Sequence, residues 1–340
     1  MSRSSDRRSK AKRQPPKAPS ADHNLAPEQF PDLNREFYRA DPTDYIQRRV
    51  RALVVSVADS SAIDEALRQG VSYGNIEVRR EQDHEADKEA AEAYLSMEST
   101  NLLHHAAESL LRLYFAHAGH PPCPWLEISR RDKPGEFKER VAELRGALGQ
   151  QETVDSLRTI LFGNVAPEAL GWSFTAKEWQ RKTDGLVMLI EYLCTTVLND
   201  APMYNATKHG LAVVGGNSGL KLSAPGDELT VSTDGPGLTY LGVTTQSAPG
   251  GRRWTKTLTF VRSEANLGLI EVVALYIRSL WTIARYRYLR TEDESTMIMQ
   301  IEPDQLRKII ETGLEGPFGF AGMIQTLAYY AEDESDAAAG

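Results

Sequence analysis

The stretch TDGLVMLIEYLCTTVLNDAPMYNATKHG, Thr183 to Gly210, decides how this chain is read. Leu186, Leu189, Ile190, Leu193 and Val197 recur three and four residues apart, which puts them on one face of an α-helix. Pro202 has no amide hydrogen and its ring crowds the preceding turn, so the helix is expected to kink or restart after Asp200. Gly210 then permits the left-handed turn on which helices commonly end. Beyond it the texture changes. Residues 211–263 alternate β-branched and aromatic residues between Gly, Pro and Asp turns, the pattern of four or five antiparallel strands.

Helical spacing returns on the far side of these strands. In EANLGLIEVVALYIRSLWTIARYRYLR, Ile270, Val273, Ile277, Leu280 and Ala284 form a stripe, and Arg285, Arg287 and Arg290 suit the negative end of the helix dipole. Upstream, residues 81–119 read as the longest helix, with Leu103, Ala107, Leu110 and Tyr114 on one face and Gly119 closing it. Residues 43–70, with Ala52, Val55 and Ala58 near helical spacing, and residues 136–162 predict shorter helices. After the second long stripe, TMIMQIE predicts a short strand, with helices starting near Pro303 and near Phe320. The expected fold is therefore mainly α (α+β): a helical bundle with an inserted small antiparallel β-unit. Its segments are a basic, proline-rich arm without apolar periodicity (1–35), a helical domain (36–210), the β-unit (211–263), a helical return (264–330) and an acidic tail (331–340).

Charge is unevenly laid out. Residues 1–17 hold seven basic groups against Asp6 alone, while the whole chain of 340 residues carries a net charge of -8. An acidic body does not attract nucleic acid by bulk electrostatics, so any such binding needs the arm or a local cleft. Cys123 and Cys194 stand far apart and form no metal-spaced pair, and neither a disulfide scaffold, a metal site nor a cofactor is expected. No charged N-terminus leading into an apolar run and no long uncharged apolar stretch is read here, which implies a cytoplasmic protein without a membrane. There is no phosphate loop, GxSxG elbow, HExxH pair or dinucleotide fingerprint, and GGNSG and GPFGFAG lack the flanking strand and helix of a ligand loop.

Two polar stripes remain as candidates. Asn101, His105, Glu108 and Arg112 follow spacings of 4, 3 and 4, with His117 five residues further on. Glu108 and Arg112 also fit an ordinary i, i+4 ion pair of a solvated helix. Asn205, Lys208 and His209 share a face in the last turn before Gly210. Helix capping accounts for the lysine, histidine and glycine, but asparagine is a poor helix former there, and amide, ammonium and imidazole together suit holding a phosphate or moving a proton.

RLYFAH, Arg112 to His117, resembles the R-x4-6-H motif of the HEPN superfamily, and YNATKHG resembles the Y-N-x-x-K-H motif in some abortive-infection members of that group. Leu113 stands where these nucleases usually carry a polar residue, and YNATKHG lacks the arginine of a full motif. The resemblance implies metal-independent RNA cleavage or RNA binding, a homodimer completing the site, and a role in defence or stress. Arg112 would stabilise the scissile phosphate and His117 would act on the 2′-hydroxyl. Asn205, Lys208, His209, Glu108 and His105 would hold substrate. The competing expectation is a non-catalytic helical dimerisation or scaffold protein in which both stripes are structural.

Overall fold

The computed structural model describes residues 25–58, 60–79, 88–129, 134–223, 230–245, 252–290, 298–312 and 324–329. In chain order the elements are α1 (Phe30–Phe37), α2 (Thr43–Ala58), α3 (Ser60–Gln69), β1 (Val71–Tyr73), β2 (Ile76–Val78), α4 (Lys88–Ala118), α5 (Pro124–Ser129), α6 (Pro134–Ala147) and α7 (Gln151–Leu161). They continue with α8 (Ala176–Asn199), α9 (Ala201–Lys208), β3 (Val213–Ser223), β4 (Thr230–Thr245), β5 (Arg252–Phe260), α10 (Ser263–Leu289), α11 (Pro303–Glu311) and β6 (Ile324–Tyr329). The protein is mainly α, with two small antiparallel sheets.

The three apolar stripes meet. Leu103, Ala107, Leu110 and Tyr114 of α4, Leu186 to Val197 of α8, and Ile270 to Ala284 of α10 belong to one buried cluster. Removing such side chains from water is the main favourable term in building the bundle. Helix α8 starts at a capping box: Glu178 N–H donates to Thr175 Oγ1 at 3.2 Å, and Thr175 N–H donates to Glu178 Oε2 at 2.8 Å. It stops at Asp200, and α9 restarts with Pro202 in its first turn, as the missing amide hydrogen requires. At mid-helix, Gly185 lets the 301–302 backbone lie directly on α8. A Cβ there would stand 1.9 Å from the Ile301 carbonyl oxygen.

The four-stranded sheet has the order β3-β4-β5-β6, every pair antiparallel. It sits on the first half of α4, where a Cβ on Gly215 of β3 would come within 2.9 Å of the Ala93 side chain. Ala206, Val213, Leu238 and Val261 form a small core with Met97, Met203 and Tyr240, joining sheet, α9 and α4.

Several expectations need correction. Residues 30–37 are helical rather than part of an unstructured arm, because Phe37 and Tyr38 anchor that segment against Trp281 at ring separations of 4.8 and 4.9 Å. Residues 1–24 and the tail 331–340 lie outside the described residues. The hairpin β1–β2 was not expected; Gly74, at φ +58, supplies its turn. Residues 298–302 are not a strand: Met299 N–H donates to Ser279 Oγ and Ile301 N–H to the Tyr276 hydroxyl, so α10 side chains satisfy this backbone. The sheet is not confined to 211–263, since the segment expected to be helical near Phe320 instead supplies β6. Finally, α10 is long and apolar enough to cross a membrane by length and composition, and here most of its apolar window is buried in the bundle.

Candidate functional site

The two stripes only partly converge. At 100° per residue, five residues turn a helix by about 140° from one side to the other. Arg112 and His117 accordingly face different neighbours. The Arg112 guanidinium donates from Nε to Glu108 Oε1 at 2.8 Å and lies 4.0 Å from the centre of the Phe137 ring of α6. The crevice beside it measures about 20 Å³. His117 is 2% exposed and turned toward α1 and α10.

Both nitrogens of His117 are engaged. Nδ1 lies 2.6 Å from the Leu113 carbonyl oxygen, so it carries the proton and donates. Nε2, 2.7 Å from the Tyr38 hydroxyl, then accepts from it. Burial pushes the histidine down to about 4, against the opposing pull of the Leu113 carbonyl and helped by Arg287 and His120 nearby. Burial likewise raises Tyr38 far above an ordinary phenol. At neutral pH this is an uncharged, fully satisfied pair inside the core. A proton shuttle needs access to the proton it moves, which this ring lacks.

The upper part of the α4 stripe does meet YNATKHG. Tyr204 of α9 stacks on His104 with centroids 3.9 Å apart and planes at 14°. Thr207 donates to Asn101 Oδ1 at 2.5 Å. His104 is 5% exposed, burial pushes it down to about 4, and its Nδ1 has no hydrogen-bond partner. His105 is also lowered, first by burial and then by the Arg49 charge, while Glu108 opposes both. Arg49 of α2 pairs with Glu98 at 2.9 Å. Asn101, His104, His105 and Glu108 thus form a polar seam on α4 with α2 on one flank and α9 on the other.

The outward side of α9 carries Asn205, Lys208 and His209, all exposed, with Lys208 Nζ 5.9 Å from the Tyr204 ring centre. Gly210, at φ +65, ends the helix as its position suggested. Sequence reasoning missed His104, Tyr204, Thr207 and Tyr38. Position gave a usable signal for three of them, because His104 stands i, i+3 from Asn101, and Tyr204 and Thr207 stand i, i+3 from each other.

The larger hollows lie elsewhere. One of about 610 Å³ is bordered by Gly163, Leu170, Ile283 and Arg285, and no residue of either stripe lines it. Among the described residues no group of three or more His, Cys, Asp or Glu is placed to hold a metal ion. No protein-family model, curated protein or solved structure matches this chain.

Proposed function

We propose that this is a HEPN-like protein that binds RNA through the outward side of α9, and that Arg112 and His117 serve the fold. One observation carries this reading. The Tyr204–His104 stack and the Thr207–Asn101 hydrogen bond fix α9 so that an amide, an ammonium and an imidazole face solvent together. Such groups meet phosphate and sugar oxygens without needing a deep pocket. The chain is acidic overall, so the contact is local and short, and salt weakens it through the few phosphates it neutralises.

Binding of a fluorescein-labelled RNA in EDTA, followed by anisotropy and by gel for chain cutting, tests this. The double variant Lys208→Ala, His209→Ala is expected to weaken binding about tenfold, whereas Arg112→Ala stays within about twofold of wild type. Cutting in EDTA that vanishes with Arg112→Ala would return Arg112 to the chemistry and sink this assignment.

A second reading, self-association, is favoured by the β1–β2 hairpin. Its register pairs Val71 with Val78 and Tyr73 with Ile76, so all four share one face. They are 47, 52, 86 and 65% exposed respectively. A lone two-stranded hairpin is marginal in water, and an apolar face of this kind gains by meeting its copy across a two-fold axis. Light scattering after gel filtration should show a dimer that Tyr73→Ser, Ile76→Ser converts to monomer. A wild type already monomeric at its highest soluble concentration would dispose of the idea.

A further inference from the structure

The four-stranded sheet has a second face that the described helices of the bundle leave uncovered. On the covered side lie Val213, Leu238, Thr255 and Thr257, all buried. Alternation along a strand sends the intervening residues the other way. Val214, Leu241 and Trp254 are 72, 60 and 49% exposed, and Lys256 is exposed as well. Register sets Leu241 beside Lys256, and the backbone of Tyr329 beside that of Trp254.

Charge singles out the same strands. From 235 to 263 the sequence holds Arg252, Arg253, Lys256 and Arg262 and no Asp or Glu, in a protein whose net charge is -8. An outward indole two residues from an outward ammonium, flanked by aliphatic side chains, combines a stacking surface with a phosphate partner. Those are the two elements by which a strand surface holds unpaired nucleotides. A duplex offers the phosphates but no free base face: its bases are already stacked on one another, and a flat sheet cannot enter the deep A-form groove.

We propose that the outer face of β4–β5 is a binding platform for single-stranded RNA, with a base stacked on Trp254 and a phosphate on Lys256. The proposal rests on the reading of the chain as an RNA binder and adds a surface about which the α9 residues say nothing. Recognition is through base faces and backbone charge, so it is tolerant of sequence.

The experiment measures anisotropy of a labelled oligouridylate with the full-length protein in EDTA, the fold of each variant being checked by circular dichroism. Trp254→Ala is expected to weaken binding about tenfold, Trp254→Phe to keep most of it, and Lys256→Ala to lower the salt dependence by about one phosphate contact. If Trp254→Ala binds like wild type while Lys208→Ala, His209→Ala is weakened, the platform is overturned and the α9 reading stands. Weakening by Trp254→Ala alone supports the platform and removes α9. Wild type that ignores single-stranded RNA overturns both, and equally tight binding of a duplex overturns stacking at Trp254.

Discussion

Gly185→Ala is expected to destabilise the protein by about 3–5 kcal/mol, among the largest effects a single methyl can have. Alanine is ordinarily the better helix former, and in an exposed helix this change would stabilise by up to about 1 kcal/mol. Here the added carbon would stand 1.9 Å from the Ile301 carbonyl oxygen and 2.8 Å from its carbonyl carbon. Those are backbone atoms, and the Ile301 amide is itself tied to the Tyr276 hydroxyl at 3.2 Å. Relief requires the 301–302 segment to lift off α8, taking with it the buried Ile301 and the adjoining start of α11. Urea unfolding should show a lower midpoint at an unchanged slope, and Gly185→Ser should be no better. A midpoint equal to wild type would mean that the 301–302 chain does not rest on α8.

His117→Ala is expected to cost about 2–4 kcal/mol at pH 7.5, because it opens a hole in the core and leaves the buried Tyr38 hydroxyl without its acceptor. That cost should shrink on acidification. Burial holds folded His117 at about 4 against an ordinary 6.5, so between these values the unfolded chain binds a proton that the folded one refuses. Wild-type stability therefore falls as pH drops from 6.5 toward 4, by about 3 kcal/mol for this one group, and the variant has no such loss. His104 is depressed in the same direction, whereas Asp200, raised by burial to about 6, acts oppositely between its ordinary value and 6. Both are present in wild type and variant alike, so their effects cancel in the difference. Chemical unfolding at pH 7.5 and pH 4.5 measures it. A stability gap that stays constant between the two would show that His117 is not held neutral.

The helical frame was legible because burial repeats with the turn of the helix. Leu103, Ala107, Leu110 and Tyr114 could be read as one stripe, and each is at most 5% exposed. The position of the break after Asp200 followed from proline chemistry alone. The candidate site was harder. His104 and His105 are adjacent, yet one is sealed beneath Tyr204 while the other is half-buried beside Arg49. Spacing gives the angle between two residues on a helix; it does not say which neighbouring helix each will meet. The same limit applies to Arg112 and His117, whose five-residue separation fits a motif as text but puts them on different sides of α4. The strand β6 was missed for a related reason: its partner, β5, is remote in the chain.

That remoteness also orders events during translation. The ribosome finishes β5 at Phe260 and must add the whole of α10 and α11 before it reaches Ile324. At about 5–20 residues per second, the far edge of β5 waits several seconds for its partner. In that interval the positive charge of Lys256 on β5 repels a like edge on a neighbouring nascent chain. A chain that stopped ahead of residue 324 would keep this edge unpaired, and the charge on β5 would then have to work against edge-to-edge association throughout its lifetime.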